Sequence, residues 1–205
     1  MDHESTSHVP WNKGKLVGQK APFTQQQIWS IRMRLESAGN TRNLALFNLA
    51  IDSKLRACDL LNLRVSDVAN GLTVQSRGKV VQQKTGRPVR FELTKRTRES
   101  VRRWIEIGGL SVEGYLFPSR LKASQRLSTR QYARLMKDWT RSIGLDPARY
   151  GTHSMRRTKA TLIYRQTKNL RAVQLLLGHT KLDSTVRYLG IEIDDALEMS
   201  EQIDV

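Results

Sequence analysis

Six polar side chains, spread between residues 56 and 188, are of the types that can transfer a phosphoryl group without a metal ion. They are two arginines, two histidines, a lysine and a tyrosine: Arg56, Lys84, His153, Arg156, His179 and Tyr188. An arginine guanidinium can hold two phosphate oxygens at once and keeps its charge. Histidine and lysine exchange protons, and a phenol oxygen can act as a nucleophile. Such a set suits attack by a phenol on a phosphodiester.

Most of these residues lie in distinctive local patterns. Residues 53–63 read SKLRACDLLNL, with Asp59 one helical turn after Arg56. His153 and Arg156 are three residues apart, a spacing that places both on one face of a helix. Residues 176–179 read LLGH, and Tyr188 follows His179 by nine residues. Each pattern alone is weak, but all of them in order form a specific signal.

In this order the patterns resemble the active site of the tyrosine recombinases, the phage-integrase family. Residues 53–63 are similar to the family's first-arginine box, usually Thr-Gly-Leu-Arg-x-x-Glu-Leu. Here Lys54 replaces the glycine and Asp59 replaces the glutamate. Residues 152–157 match the His-x-Leu-Arg box with Met155 in the leucine position, and residues 176–188 match the Leu-Gly-His box and the tyrosine after it.

The resemblance implies a role for each residue. Arg56 and Arg156 would clamp one phosphate, and His179 would donate a hydrogen bond to a nonbridging oxygen. His153 would accept the tyrosine proton or bind a nonbridging oxygen. Lys84 would protonate the departing 5′ oxygen, with Lys79 as its rival for that role. Tyr188 would form a 3′-phosphotyrosyl ester, with no metal ion and no nucleotide cofactor.

The elements that must position these residues are mostly helical. Helical spacing of apolar residues recurs along the chain, and Thr24 and Ser128 head capping-box patterns. Short β-rich runs at 72–75, 80–84 and 89–93 are separated by turn signals that contain glycine. The sequence therefore predicts a mainly α fold with one small three-stranded antiparallel β-sheet (α+β), which is also the tyrosine-recombinase catalytic-domain fold that the resemblance implies.

The charge of the chain indicates a polyanionic partner. The 205 residues contain 35 Lys and Arg against 19 Asp and Glu, a net charge of +16, and every Lys and Arg precedes residue 189. Double-stranded DNA is the favoured partner, because neutralising phosphates releases counterions. One cysteine, Cys58, excludes a cysteine-rich zinc site and an internal disulfide. The sequence has no transmembrane or signal segment, so we expect a cytoplasmic, nucleoid-associated protein without a membrane partner.

Three segments are expected: a flexible basic N-terminal arm (1–22), a DNA breaking-rejoining catalytic domain (23–190) and an acidic C-terminal tail (191–205) that could dock on another subunit. The chain resembles short single-domain members of the family, such as fimbrial inversion recombinases. The resemblance implies a site-specific recombinase or integrase that acts as a homotetramer on paired sites. Two alternatives stay open: a type IB topoisomerase, and a catalytically silent DNA-binding regulator of recombination.

Overall fold

A computed structural model of the protein describes residues 19–120 and 125–191, together with residues 197, 200 and 201. Within these residues the chain forms eight α-helices and four short strands. The helices are α1 (Gln25–Ser37), α2 (Thr41–Ser53), α3 (Ala57–Leu61), α4 (Lys95–Gly108), α5 (Thr129–Ser142), α6 (Thr152–Thr167), α7 (Leu170–Leu177) and α8 (Leu182–Leu189). The strands are β1 (Ala69–Asn70), β2 (Thr73–Val74), β3 (Arg77–Val81) and β4 (Pro88–Glu92).

Side-chain caps set where several helices begin. Thr24 accepts a hydrogen bond from the Gln27 amide while the Gln27 side chain accepts one from the Thr24 amide, which confirms the predicted capping box of α1. Ser128 accepts from the Gln131 amide and caps α5, as its pattern predicted. These bonds satisfy amide groups that the first turn of a helix leaves without partners.

The main hydrophobic core is built around α2. Residues 45–53 of this helix are all buried, and it packs against α1, α4 and α6. A second, smaller apolar cluster joins the last three helices, and Tyr188 packs against it. Its buried members are Ala160, Tyr164, Val173, Leu177 and Leu189. The helix that carries Tyr188 is therefore held mainly by α6 and α7 and lies beside the larger core.

The strands form two antiparallel pairs. Strand β1 pairs with β2, and β3 pairs with β4 in a register that places Lys79 opposite Arg90. The prediction of a mainly helical fold with a small antiparallel sheet is confirmed, but the single three-stranded sheet is corrected to two two-stranded sheets. Only Gln75 and Ser76 separate β2 from β3, yet β2 pairs with β1 and β3 pairs with β4.

The predicted terminal segments lie largely outside the described residues. Of the arm at 1–22, only residues 19–22 are described, and they contact the domain, since the Ala21 amide donates to the Arg149 carbonyl at 3.0 Å. Of the acidic tail at 191–205, only residue 191 and residues 197, 200 and 201 are described, the last three as helical. No described helix is both long enough and apolar enough to cross a membrane.

Candidate active site

Arg56 is positioned by the turn between α2 and α3. It is the residue immediately before α3, and its Nη1 donates to the side-chain Oε1 of Gln82 at 2.7 Å. The same Nη1 lies 3.9 Å from Oδ2 of Asp59, one helical turn later. The guanidinium is thus oriented from two sides while part of it stays open to solvent, as a phosphate clamp requires.

Arg156 lies in α6 and is buried, with only 2% of its surface exposed. Its Nη1 donates to the carbonyl of Lys54, and its Nη2 donates to the carbonyl of Leu177 at 2.6 Å. Burial, together with the nearby Arg56 cation, lowers its pKa below the usual value for an arginine. A guanidinium has five N–H donors, so these two bonds leave others for a phosphate oxygen.

His179 follows the glycine that ends α7. Gly178 has φ +67°, and a Cβ atom built on it would lie 2.6 Å from Cγ2 of Val89. The Leu-Gly-His pattern therefore has a structural reason: the position needs a left-handed backbone and a close approach to β4, and glycine allows both. The turn directs His179 back toward α8, where its Nδ1 lies 3.1 Å from Oγ1 of the buried Thr185.

Tyr188 lies in α8 with its ring against three side chains of the site. Its ring meets that of His179 edge-on, with centroids 5.3 Å apart. The guanidinium carbons of Arg156 and Arg157 lie 5.9 and 5.6 Å from the centre of the tyrosine ring. The Tyr188 hydroxyl is buried and makes no hydrogen bond of good geometry to any described residue, although the Arg156 guanidinium lies close enough to act on it. A buried hydroxyl without a partner is unfavourable, and a bound phosphate oxygen close to it would change that balance.

The pKa values of Tyr188 and His179 follow from the burial of the two side chains and from the surrounding cations. Burial raises the pKa of Tyr188 to about 12, although Arg156 and Arg157 act to lower it. Burial and the cations Arg156 and Arg56 lower the pKa of His179 to about 4. In the free protein at neutral pH the phenol is therefore protonated and the imidazole is neutral. A phosphate anion between the guanidinium groups would favour a cationic His179.

His153 lies in the first turn of α6 and is exposed. Partial desolvation lowers its pKa, and so do the cations Arg156, Arg56, Arg157 and Lys84. A neutral imidazole can accept a proton, which fits the role expected for His153. Because Arg56, Arg156 and Lys84 all act on this imidazole, His153 lies in the same cluster of positive charge as they do.

Lys84 is exposed in the turn that joins β3 to β4. The Gln82 main chain closes this turn by accepting from the Gly86 amide at 2.8 Å and donating to the Arg87 carbonyl. The rival Lys79 lies in the middle of β3 instead of in a turn. Lys84 is one of the cations that lower the pKa of His153, so its charge is felt at that imidazole. Its role as a general acid stays a prediction.

Gln82 is a site residue that the sequence analysis missed. It is fully buried. Its Oε1 accepts a hydrogen bond from Arg56, and its Nε2 donates one to the carbonyl of Leu177 at 3.4 Å. Gln82 thus connects the first arginine to the end of α7. A signal was present: Gly78, Val80 and Gln82 alternate on the inward side of the hairpin, and a polar residue at such a position needs internal partners.

The structure accounts for Lys54, which replaces the glycine of the family's first-arginine box. It adopts the left-handed conformation expected of the usual glycine, with φ 55°, and its side chain is fully buried. Its Nζ lies 2.8 Å from Glu92, which also pairs with Lys159, and Lys159 in turn lies 2.7 Å from Asp52. This alternation of charges compensates the buried ammonium, because a buried charge is tolerated when it is paired.

The structure also accounts for Asp59, which replaces the glutamate of the first-arginine box. Its Oδ1 accepts from the amide of Gln83 at 2.9 Å, and its Oδ2 makes no hydrogen bond to a described residue. The shorter carboxylate therefore holds the start of the hairpin turn directly, while staying close to Arg56. Among the described residues, no cluster of His, Cys, Asp and Glu side chains is suited to hold a metal ion.

Comparison with known proteins agrees with this geometry. Residues 22–192 match the model of the phage integrase family. The chain is 28% identical over 155 residues to the probable integrase/recombinase YoeC of Bacillus subtilis (strain 168), an alignment that covers 76% of this chain and 81% of that protein. It is 32% identical over 154 residues to the tyrosine recombinase XerC of Erythrobacter litoralis (strain HTCC2594), covering 74% of this chain and 47% of that protein.

Solved structures show the same fold. The crystal structure of XerA recombinase matches with a TM-score of 0.73 and 21% identity, covering 90% of this chain and 65% of that one. XerH recombinase bound to its difH substrate matches with a TM-score of 0.68 and 17% identity, covering 89% of this chain and 55% of that one. The chain thus spans about half the length of several proteins it matches. With the family pattern covering nearly all of its described residues, the chain belongs to the phage integrase family, whose members include the tyrosine recombinases.

Proposed function

We propose that the protein cleaves and rejoins double-stranded DNA at specific sites through a covalent bond to Tyr188. The observation that carries the proposal is the buried hydroxyl of Tyr188, whose ring lies against the His179 ring and close to the Arg156 guanidinium. Site-specific recombination agrees with the family to which the chain belongs and with the names of its relatives.

The chemistry of cleavage assigns one task to each side chain. The Tyr188 oxygen bonds to phosphorus as the bond to the 5′ oxygen breaks. The phenol proton passes to a base, for which neutral His153 is suited, and Lys84 gives a proton to the departing 5′ oxygen. Arg56 and Arg156 bind the nonbridging oxygens and stabilise the charge of the transition state, with no metal ion or nucleotide. The reverse reaction rejoins the strand.

An arginine-rich surface outside the six-residue site supports double-stranded DNA as the substrate. A cavity of about 660 Å³ lies where α2 and α5 begin, and the charged residues among its described lining are all arginines. They are Arg42, Arg120, Arg126, Arg130 and Arg134. Two helix N-termini add partial positive charge to this surface. Phosphate contacts there would hold the duplex while the six-residue site acts on one phosphate.

We further propose that four copies act together on two DNA sites, in the cytoplasm and on the nucleoid. Leu175 in α7 and Leu182 at the start of α8 are large apolar residues that are exposed, by 62% and 44%. They lie close to the helix that carries Tyr188 and supply apolar surface for a neighbouring copy.

A nicked suicide substrate tests the assignment of the nucleophile. The 5′ end released on cleavage diffuses away, so a DNA-protein ester accumulates and is counted on a denaturing gel. Tyr188→Phe should abolish the ester while leaving DNA affinity nearly unchanged. Tyr150→Phe is the matched control, because its ring stacks on Phe23 and its hydroxyl has one weak hydrogen bond within the described part of the chain, from Gln27 at 3.4 Å. A covalent product from the Tyr188→Phe variant would refute the assignment.

A plasmid that carries two target sites tests the outcome of cleavage. Deleted or inverted products are expected if the ester is passed between two duplexes. Relaxed topoisomers without recombinants would contradict strand exchange and favour a topoisomerase. Retarded DNA without any ester would contradict cleavage itself.

A further inference from the structure

Arg157, the residue after Arg156, is buried beside Tyr188 but lies outside the six-residue set. Only 8% of its surface is exposed, and its guanidinium carbon lies 5.6 Å from the centre of the Tyr188 ring. It forms no ion pair with a described residue, and its Nε is buried without a hydrogen-bond partner there. Burying a guanidinium in this way costs free energy, so its place against the tyrosine calls for an explanation.

The Arg157 guanidinium is held by a short segment at the start of the described chain. Its Nη1 donates to the carbonyl of Lys20 at 3.1 Å. We call residues 19–23 the N-terminal strap. The strap reaches the loop before α6 through Lys20, whose Nζ donates to the Ala148 carbonyl at 2.6 Å. It is anchored on α6 by the Phe23 amide, which donates to Oγ1 of Thr158 at 3.0 Å.

The same strap also contacts the helix of the nucleophile. Gln19 donates from Nε2 to the carbonyl of Arg187 at 2.6 Å, and Arg187 is the residue before Tyr188. Tyr188 is therefore linked to the strap twice, through the main chain beside it and through the Arg157 side chain against its ring. The ring cannot turn away from Arg156 and His179 without changing one of these links.

We propose that Arg157 is a positioning residue for Tyr188, and that the N-terminal strap holds both in place. The inference rests on the proposed function. A cation over the face of an aromatic ring is attracted to it, and more strongly when the cation is desolvated. The same positive charge favours the phenolate that forms as the Tyr188 oxygen attacks phosphorus.

Two substitutions separate positioning from simple packing. Arg157→Met keeps the length of the side chain and removes the charge, whereas Arg157→Lys keeps the charge. With the nicked suicide substrate, the Met variant should form the DNA-protein ester about tenfold or more slowly at neutral pH, at nearly unchanged DNA affinity. Its rate should rise at a higher pH than that of the wild type, because the phenolate has lost a stabilising cation. The Lys variant should retain the wild-type pH profile.

A purely structural role predicts a different result. In that case both variants would lower the stability to urea, and the pH profile of the surviving folded protein would not move. That outcome would overturn the proposal, as would an Arg157→Met variant with the wild-type rate and pH profile.

The strap is tested by its own pair of variants. Gln19→Ala removes the bond to the Arg187 carbonyl and should slow ester formation without weakening DNA binding. Gln26→Ala is the control, because Gln26 is exposed on α1, away from α8. Equal rates for the two variants would refute the role of the strap.

The NMR signals of the Tyr188 ring separate failure of this inference from failure of the proposed function. In the wild type and in each Arg157 variant, these signals are identified by their loss when Tyr188→Phe is added. If the wild type forms no ester at all, the proposed function fails, yet the ring signals should still shift in Arg157→Met and stay near their wild-type positions in Arg157→Lys. Identical ring signals in all three proteins would overturn the inference by themselves.

Discussion

Arg156 donates hydrogen bonds to two main-chain carbonyls, that of Lys54 and that of Leu177. Lys54 lies two residues before Arg56, and Leu177 lies two residues before His179. One buried guanidinium therefore connects the turns that carry two other residues of the site. Its charge is available to a phosphate, while its fork of donors fixes the local backbone.

Gly178→Ala should destabilise the protein and reduce cleavage. The position has φ +67°, and the added methyl would lie 2.6 Å from Val89. Strain of the backbone alone costs about 1–3 kcal/mol. Gly144→Ala is the control, since its φ is +76° but a methyl added there would have no atom within 4 Å. The free energy of unfolding, measured in urea, should fall further for Gly178→Ala than for Gly144→Ala. Equal losses would mean that the contact with β4 is unimportant.

Gln82→Leu should slow cleavage more than it weakens DNA binding. The substitution removes the acceptor of Arg56 and a donor to the Leu177 carbonyl, so the first arginine loses its orientation. A displaced catalytic group commonly costs about a hundredfold in rate. Ester formation on a nicked substrate and DNA affinity would be measured together. Gln83→Leu, at an exposed position, should change neither. A Gln82→Leu variant with the wild-type rate would contradict the role of Gln82.

The low pKa of His179 makes stability depend on pH. Its pKa is about 4 in the folded protein and 6.5 ordinarily, so between these values the unfolded chain binds more protons than the folded one. Stability should therefore rise as the pH rises from about 4 to 6.5, and His179 should add no further change above that range. The urea midpoint of the wild type should drop more between pH 7 and pH 4.5 than that of His179→Asn. Parallel curves for the two proteins would argue against a buried, neutral His179.

Substitutions at Lys54 should separate the cost of its left-handed backbone from the contribution of its ion pair with Glu92 to stability. Lys54→Ala loses the ion pair with Glu92 and keeps a β-carbon at φ 55°, whereas Lys54→Gly loses the pair and relieves the backbone. Both variants should unfold at lower urea concentration than the wild type. The glycine variant should be more stable than the alanine variant by about 1 kcal/mol. An alanine variant as stable as the glycine variant would show that the turn is not strained.

Much of the site could be predicted from local patterns. The spacing of His153 and Arg156 on one helix face, and the position of Tyr188 nine residues after His179, depend on residues that are close in sequence. The helices could be predicted in the same way, because caps such as Thr24 and the spacing of apolar residues act within a few turns.

The contacts between distant segments could not be predicted in this way. Gln82 meets Arg56 across 26 residues and Leu177 across 95. The two separate strand pairs depended on how the turns at 70–72 and 82–87 close. Lys54 occupies a position where the family usually has glycine, and its buried ammonium is paired there with Glu92, which belongs to another element.

The sequence by itself determined the family and the basic character of the chain, and it indicated six candidate side chains for the site, because these reside in residue types and short spacings. Only the tertiary structure decided which way the side chains are held. It buried the Tyr188 hydroxyl without a partner among the described residues, placed Arg157 over its ring and tied both to residues 19 and 20. The physical reason is that burial and long-range hydrogen bonds arise only when segments far apart in the chain pack together.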